Sequence, residues 1–400
     1  MSTAPTVSAG VSWYVNQAAA ATVPDLGFGA VSRRPLERHA TLPGYAPTAL
    51  HDVGELAARL GVASLLVKDE SYRLGLPSFK ILGASWATMN AVAGWLGRDV
   101  GDLTLEAARD ALDGAGVTLV AATDGNHGRG VARMARLLGA ASTILVPVGT
   151  ARARIEGIAS EGAEVRVVDG TYDDAIAASA LLAGPTALVV SDTSWPGYAA
   201  VPRAVVEGYS TMFHEVDDEI ARRGLTAPTV VAFQSGVGAF AAAGLRHYRG
   251  RTGPEGTPVR TVVVEPSTAN CLMASARAGQ MMEVPGPHRS TMAGLNCGLP
   301  SELVWPILQA GTDVFVAIDD RWTDEAMRAF AAAGIVAGES GAATLGALLA
   351  AADQPELRES LGLTADASVL LVDTEGATDP ENYAAVVGRP PADVAPRSQD

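Results

Sequence analysis

The chain has 400 residues, with 29 Lys plus Arg against 44 Asp plus Glu, and a formal net charge of −15 at pH 7. A chain this acidic lacks the basic face that nucleic acids and anionic membranes require, and its 48% apolar content excludes intrinsic disorder. It has no run of about 18 apolar residues, no secretory signal and only two cysteines. We therefore expect a cytoplasmic protein without a disulfide framework.

Apolar runs alternate with alanine-rich helical segments along almost the whole chain. The predicted strands are residues 64–68, 117–122, 142–147, 164–168, 187–190, 229–233, 259–265, 313–318 and 368–373. The predicted helices are residues 125–138, 151–161, 172–182, 201–223, 239–248, 268–278, 323–333 and 342–352. Short strands that are apolar on both faces are typical of sheets covered by helices on both sides. The alternation therefore predicts an α/β fold with mostly parallel strands.

Lysine is scarce in this chain: 27 of the 29 basic residues are arginine, and only Lys68 and Lys80 are lysine. An amine that persists against such a bias is a candidate for chemistry, because lysine can lose its proton and attack a carbonyl. Lys80 follows Pro77 and Ser78, which are good residues for the entry of a helix. A helix N-terminus disfavours the charged form of an amine. The alternatives are chance retention and an exposed residue in the first turn.

Two glycine-rich segments follow predicted strands, where parallel sheets bind ligands. Residues 123–130 read TDGNHGRG, and residues 234–239 read QSGVGA. The first is either a polar ligand loop or a plain turn, and the second is suited to a phosphate because its glycines expose backbone N–H groups at a helix N-terminus. The dinucleotide fingerprint fits poorly, because Glu265 is 27 positions after Gly238 instead of about 20. An amine, a polar loop and a phosphate site together point to pyridoxal phosphate.

The chain resembles the fold type II pyridoxal-phosphate enzymes, the tryptophan-synthase-β-like group, and within it most closely the diaminopropionate ammonia-lyases. The resemblance runs from Lys68 to Tyr383. It rests on the motifs KDES (68–71), SFK (78–80), ATDGNHGRG (122–130), YDDA (172–175), SDTSWPGY (191–198), EGY (207–209), GVG (236–238), VVEP (263–266), MAGLNCG (292–298), GESGA (338–342) and DTEGATDP (373–380). The pattern departs at Pro77, where asparagine is usual, and at Val148, where lysine is usual. These departures leave the substrate open more than the cofactor.

The resemblance implies a role for each matching residue. Lys80 would hold the cofactor as a Schiff base, and Asn126 would bond to its ring hydroxyl. Thr374 would face the pyridine nitrogen, Asp124 would be the acid/base partner that serves the D-enantiomer, and Asp192 would face the substrate. The phosphate would be bound by Gly236, Val237, Gly238 and Ala239.

The resemblance also implies the architecture and the reaction. It implies two three-layer α/β domains, a large one formed by residues 1–85 and 195–400 and a smaller inserted one formed by residues 86–194, with the cofactor in the cleft between them. The implied reaction is α,β-elimination of 2,3-diaminopropionate to pyruvate and two ammonia through an aminoacrylate, by a homodimer that acts on a small amino acid. The alternatives are elimination or replacement on serine, threonine or a specialised-pathway amino acid, a non-catalytic binding protein, and a nicotinamide oxidoreductase.

No metal ligand set is predicted, because His127 has no second histidine at i+4 and neither cysteine lies in a CxxC pattern. Cys271 and Cys297 are read as a buried free pair, with a redox-sensitive bridge as the alternative, since sequence cannot place their Cα atoms within bonding range.

Overall fold

The computed structural model describes residues 7–8, 10–123, 125–253, 256 and 258–396. The strands are β1 (Val7–Ser8), β2 (Val11–Val15), β3 (Leu50–Asp52), β4 (Ser64–Asp69), β5 (Thr118–Ala122), β6 (Ala141–Pro147), β7 (Glu164–Val168), β8 (Ala187–Val189), β9 (Val230–Gln234), β10 (Arg260–Pro266), β11 (Val314–Ile318) and β12 (Ser368–Asp373). The α-helices are α1 (Arg34–His39), α2 (Gly54–Leu60), α3 (Lys80–Trp95), α4 (Leu105–Leu112), α5 (Asn126–Leu138), α6 (Arg152–Ala159), α7 (Tyr172–Ala180), α8 (Ala200–Gly208), α9 (Ser210–Arg223), α10 (Ala239–Tyr248), α11 (Cys271–Ala278), α12 (Trp305–Gly311), α13 (Asp320–Ala332), α14 (Glu339–Ala350), α15 (Pro355–Leu361) and α16 (Pro380–Val387). Within this part of the chain, no helix is both long and apolar enough to cross a membrane.

The nine predicted strands are confirmed as β4 to β12, each with ends within about one residue of the prediction. Seven of the eight predicted helices are also confirmed. The single helix predicted over residues 201–223 is wrong, because α8 ends at Gly208 and α9 begins at Ser210. The break coincides with the closest approach of α8 to α3: a Cβ on Gly208 would lie 2.5 Å from the carbonyl oxygen of Leu82.

The chain forms two compact units. One consists of Met1–Gly29, Pro47–Tyr72 and Met212–Asp400, and the other of Ala30–Ala46 and Arg73–Thr211. The predicted domain bounds, at residues 85/86 and 194/195, cut through α3 and separate most of it from α8. In the structure α3 packs against α8 within the second unit, so the compact units have different bounds. The division into a large and an inserted domain stays a prediction.

The first unit is built on a mixed sheet with the strand order β1-β2-β11-β10-β9-β12-β4-β3 among the described residues. Its central pairs are parallel, whereas β1, β2 and β3 add antiparallel pairs at the edges. Strands β9, β11 and β12 are buried on both faces, as expected for a sheet covered by helices. Because β4, β9 and β12 are parallel, their carboxyl ends at Asp69, Gln234 and Asp373 share one edge of the sheet.

The second unit contains a parallel sheet with the strand order β7-β6-β5-β8. Its core includes Val120, Leu145, Ile176 and Val189. Since β5 and β8 are parallel neighbours, the segments that follow Ala122 and Val189 leave the sheet at the same edge. Both glycine-rich segments noted in the sequence therefore follow the carboxyl ends of strands that have parallel neighbours, which is where such sheets bind ligands.

Candidate functional site

Lys80 is the first residue of α3, as the helix-entry residues before it predict. Its backbone N–H lies 3.4 Å from Ser78 Oγ, and its side chain is 19% exposed. Its Nζ donates a hydrogen bond to Asp192 Oδ2 at 2.9 Å. Phe79, at the helix entry, packs on the ring of Tyr209 with 4.6 Å between ring centroids. The lysine is therefore a half-buried amine with a carboxylate partner, and not the exposed first-turn residue of the alternative reading.

Asp192 follows β8 and is buried, with its two carboxylate oxygens in different contacts. Oδ2 accepts from Lys80 Nζ, and Oδ1 accepts from the Tyr172 hydroxyl at 3.0 Å. Burial opposes ionisation here, but the charges of Lys80 and His127 and these two hydrogen bonds hold the pKa of Asp192 well below its usual range. Asp192 is therefore an ionised carboxylate beside the amine throughout the physiological pH range.

The glycine-rich segment after β5 leads directly into α5. Gly125 has φ +149°, a conformation open to glycine, and Asn126 is the partly buried first residue of the helix. His127 is buried, and its Nε2 lies 2.8 Å from the carbonyl oxygen of Val190 beyond the neighbouring strand. This contact ties the segment to the one that carries Asp192. Asp124, the predicted acid/base residue, lies outside the described residues.

The segment between β9 and α10 has the geometry of an anion site. Gly238 adopts φ +108° at the N-cap of α10, and no side chain caps the first turn of that helix. A Cβ on Gly238 would lie 2.4 Å from Leu308 Cδ1, and one on Gly236 would lie 2.8 Å from Cys297 Sγ. The backbone therefore comes close to its neighbours where only glycine fits, while the N–H groups of the helix terminus remain available for an anion. Ser235 Oγ, also buried here, has no hydrogen-bond partner among the described residues.

Thr374 lies just beyond β12 and is tied to β9 by an amide that the sequence analysis gave no role. Gln234 Nε2 donates to Thr374 Oγ1 at 2.8 Å and to the carbonyl oxygen of Val372 at 2.9 Å. A carbonyl only accepts, so the bond to Val372 fixes which end of the amide is the donor. The oxygen of Thr374 is thus an acceptor, and its own hydroxyl proton is left to donate elsewhere.

A buried carboxyl precedes Thr374. Asp373 ends β12, and neither of its oxygens has a hydrogen-bond partner within the described part of the chain. Burial, with the neighbouring charges of Asp69 and Glu375, raises the pKa of Asp373 well above its ordinary value. Burial therefore disfavours the charged form of the carboxyl that directly precedes Thr374.

The second lysine has a structural partner. Lys68 is 1% exposed, and its Nζ donates to Glu215 Oε2 and to the carbonyl oxygen of Thr48, each at 2.7 Å. The scarcity of lysine indicated that Lys68 mattered but not that it forms a buried ion pair. In the sequence, Tyr172 was noted only as the first residue of the YDDA motif, without a role of its own. Gln234 was noted only as a polar residue that follows an apolar strand, also without a role of its own. Of the two cysteines, Cys271 is buried and Cys297 is partly buried.

Comparison with known proteins agrees with this geometry. Residues 41–374 match the family described as pyridoxal-phosphate dependent enzyme. The diaminopropionate ammonia-lyase of Escherichia coli is 37% identical over 367 residues, which cover 90% of this chain and 91% of that protein.

Solved structures of the Escherichia coli protein are similar over nearly the whole chain. One, in complex with D-serine, has a TM-score of 0.86 at 34% identity and covers 94% of this chain and 96% of that one. Another, in complex with an aminoacrylate–pyridoxal-phosphate azomethine reaction intermediate, has a TM-score of 0.84 at 34% identity and covers 95% of this chain and 97% of that one.

The chain's own residues fit pyridoxal phosphate. A half-buried amine suits the cofactor's aldehyde, an uncapped helix terminus with two closely packed glycines suits its phosphate, and a threonine hydroxyl with a proton to donate suits its ring nitrogen. The chain belongs to the pyridoxal-phosphate dependent enzymes of fold type II and, within them, to the diaminopropionate ammonia-lyase family.

Proposed function

We propose that this protein eliminates ammonia from 2,3-diaminopropionate. The Cβ–N bond breaks as the α-proton leaves, and water then releases the second amine, so that one substrate and one water give one pyruvate and two ammonia. The observation that carries the proposal is the contact of 2.9 Å between Lys80 Nζ and the buried, ionised Asp192. The identity of 37% to a diaminopropionate ammonia-lyase over 90% of the chain supports the same reaction.

The residues that would hold the cofactor are those singled out in the sequence. We propose that Lys80 binds its aldehyde carbon, Asn126 its ring hydroxyl, the segment Gly236-Val237-Gly238-Ala239 its phosphate, and Thr374 its ring nitrogen. The bound cofactor supplies an electron-withdrawing ring that makes the α-proton of the amino acid acidic. Thr374 would donate its hydroxyl proton to the ring nitrogen, because Gln234 already donates to its oxygen. A donated hydrogen bond leaves that nitrogen without a proton of its own.

The proton steps fall to Lys80 and two carboxylates. Lys80 Nζ would accept the α-proton of the substrate. Asp192 holds Nζ through Oδ2 and is itself oriented by Tyr172. Because Asp192 stays ionised, it is also suited to bind the substrate's β-ammonium group, which already carries the proton with which it departs as ammonia. We assign Asp124 as the base for the D-enantiomer on its motif alone.

A second candidate substrate is serine. The Escherichia coli enzyme has been solved with D-serine, which carries a hydroxyl where diaminopropionate carries its β-amine. Elimination of water from serine would use the same residues but would leave Asp192 without a cationic partner on the substrate. The balance of charge therefore favours the diamine.

We also propose that the protein works as a homodimer in the cytoplasm, in amino-acid catabolism. A chain of 400 residues with only two cysteines fits a reducing compartment, and pyruvate and ammonia are products of amino-acid breakdown. Size-exclusion chromatography with light scattering should give twice the chain mass of 40.9 kDa, and a mass of one chain would contradict the dimer.

The test is pyruvate release from L- and D-2,3-diaminopropionate, L- and D-serine and L-threonine, with the cofactor saturating. We expect the fastest release from diaminopropionate. Lys80→Ala should abolish it together with the absorption of the lysine-bound cofactor, and Lys80→Arg, which keeps the charge but cannot attack a carbonyl, should do the same. Asp192→Asn should slow diaminopropionate by about 10²–10⁴-fold and serine by less.

The matched control is Asp110→Asn, which removes an exposed carboxylate on α4 of the same unit and should leave every rate unchanged. If the wild-type protein binds the cofactor but releases no pyruvate from either enantiomer of diaminopropionate, the substrate assignment is wrong. If Asp192→Asn affects diaminopropionate and serine equally, the proposed contact with the β-ammonium is wrong. Loss of D-substrate turnover alone in Asp124→Asn would support the second base.

A further inference from the structure

Two histidines and an aspartate come together away from the residues assigned to the cofactor. His214 and Asp217 lie on α9, and His247 lies in the last turn of α10, all within one compact unit. Each offers one ligand atom, and these three atoms lie within 4.8 Å of one another. Both histidines are buried, whereas the side chain of Asp217 is 31% exposed, so the cluster can be reached from solvent on one side.

The existing contacts are those of a closely packed polar cluster. His247 Nε2 and Asp217 Oδ2 are 2.8 Å apart, and the rings of His214 and His247 lie edge to face with 5.0 Å between centroids. Arg251 donates to both oxygens of Asp217, at 3.0 and 2.9 Å. His247 Nδ1 is buried and has no hydrogen-bond partner among the described residues.

We propose that His214, Asp217 and His247 form a binding site for a divalent transition-metal ion such as Zn²⁺. Two imidazoles and one carboxylate are a ligand set that such ions prefer, with a fourth position left for water. Zinc bonds of about 2.0–2.1 Å in tetrahedral geometry place ligand atoms roughly 3.3 Å apart, so ligand atoms that are now as much as 4.8 Å apart need to approach by at most about 1.5 Å. Small rotations of the three ligand side chains, of which Asp217 is the most exposed, would supply such a movement.

The backbone favours a cation at this place. His214 and Asp217 are three residues apart on a helix and so lie on one face of it. His247 belongs to the C-terminal turn of α10, where the helix dipole attracts positive charge. The sequence analysis predicted no metal site because it looked for histidines at i+4 and for CxxC pairs. This set combines an i,i+3 pair with a third residue that only the packing of α10 on α9 brings near.

Arg251 is the present counterion of Asp217 and would compete with a metal. Its side chain is 44% exposed and can move into solvent, with its stem still resting on the ring of Tyr248. The cluster lies at the opposite end of α10 from the segment assigned to the phosphate, about 14 Å away along the helix. A bound ion would therefore join α9 to α10 and stabilise the fold without entering the reaction.

The experiment uses holoenzyme treated with EDTA and then dialysed free of it. Zn²⁺ is titrated by calorimetry, and Co²⁺ is added separately for its visible d–d absorption. We expect one tight ion per chain, a higher melting temperature with Zn²⁺, and tetrahedral Co²⁺ bands. At a free concentration 100 times the Kd, the ion should favour the folded state about 100-fold. Pyruvate release should be unchanged.

Variants separate a metal site from a hydrogen-bonded cluster. His214→Gln and Asp217→Asn should each weaken Zn²⁺ binding by at least about tenfold, whereas His288→Gln, a control at a histidine outside the cluster, should not. Arg251→Gln should tighten binding by about two- to fivefold, because it removes the competing charge of a partly exposed pair. A purely structural cluster predicts no binding in any of them. Zn²⁺ binding that is absent, or that is unchanged in His214→Gln and Asp217→Asn while cofactor absorption shows both are folded, would overturn the proposal.

Discussion

Replacing Lys68 with methionine should destabilise the protein strongly without touching its chemistry. Lys68 and Glu215 form an ion pair whose side chains are 1% and 2% exposed. The pair links β4 to α9, and the carbonyl oxygen of Thr48 accepts a further hydrogen bond from the lysine. In Lys68→Met, Glu215 loses the ammonium that donates to its Oε2 at 2.7 Å, while the longer hydrogen bond of 3.4 Å from the backbone N–H of Thr48 can persist. A carboxylate would then remain buried without its cation.

The size of the effect follows from that unpaired charge. Removing one partner of a buried ion pair costs about 3–5 kcal/mol, whereas replacing both partners by apolar residues of similar volume is often nearly neutral. We therefore expect Lys68→Met to lower the free energy of unfolding by about 3–5 kcal/mol. The double variant Lys68→Met/Glu215→Leu should recover most of this loss. The coupling energy between the two positions should be at least about 2 kcal/mol.

The assay is urea unfolding of the holoenzyme, followed by tryptophan fluorescence, for the single and double variants. The matched control is Arg59→Met, which breaks an ion pair with Glu325 in the same unit whose side chains are 47% and 40% exposed. That change should cost less than about 1 kcal/mol, because solvent screens exposed pairs. Pyruvate release per folded molecule should stay at the wild-type level in every one of these variants.

Two results would refute the reasoning. If Lys68→Met costs less than 1 kcal/mol, or if the double variant is as unstable as the sum of the single ones, the pair is not what holds β4 to α9. If Lys68→Met keeps its stability but loses pyruvate release, Lys68 takes part in the chemistry after all. Lys68→Arg should also be destabilised, since a guanidinium is too large for a site built around a compact ammonium.

Three further predictions concern the first unit. Gln234→Leu should cost about 1–3 kcal/mol, because it leaves a buried carbonyl unpaired, and should shift the visible absorption of the cofactor, because Thr374 loses its donor. Gly238→Ala should weaken cofactor binding at least about tenfold, since alanine is strained at φ +108° and its Cβ would meet Leu308; titration of cofactor into apoprotein measures this. Burial raises the pKa of Glu265 to about 8 in the folded protein, whereas its usual value is 4.5. Between these two pH values the folded state keeps a proton that the unfolded state has lost. Stability should then fall as pH rises from about 4.5 to 8 and level off above, and Glu265→Gln should flatten that part of the melting-temperature profile.

The strands could be read from the sequence wherever their environment is uniform. Strands such as β9 and β12 are apolar on both faces, because helices cover both sides of the sheet. The edge strands β1, β2 and β3 were not predicted. Strand β3 is only three residues long and contains His51 and Asp52, and β2 is held by its antiparallel pairing with β11, about 300 residues away in sequence. These edge strands form by pairing with another strand, and the local sequence does not show which strand that is.

The break between α8 and α9 has the same kind of cause. Residues 201–223 contain no proline beyond the first turn, and their pattern predicts one helix. A single glycine such as Gly208 is only a weak signal for the end of a helix. The structure shows that Gly208 is glycine because the backbone at Leu82 passes against it. Gly83 on α3 lies at the same contact, and a Cβ on it would lie 2.5 Å from the ring of Tyr209. One contact between α3 and α8 therefore explains two glycines that are far apart in sequence.

The site could be predicted in its parts but not in its connections. Composition and motif pointed to Lys80, and the glycine-rich segments followed from their positions after strands. The contact of Lys80 with Asp192, 112 residues later, required the fold. So did the roles of Tyr172, whose hydroxyl donates to Asp192, and of Gln234, whose amide donates to Thr374. Residues that orient a reacting group carry little signal of their own, because many residue types occur at such positions.

The two lysines show what composition can and cannot establish. In a chain where arginine supplies nearly all positive charge, both survivors occupy places that arginine cannot fill, but for different reasons. Lys80 lies half-buried at a helix entry beside an ionised carboxylate, where the ability to lose a proton and attack carbon is what distinguishes it. Lys68 is wholly enclosed between Glu215 and a backbone carbonyl, where small size and three donors distinguish it. Scarcity marks a position as constrained, and only burial and partners decide whether the constraint is chemical or structural.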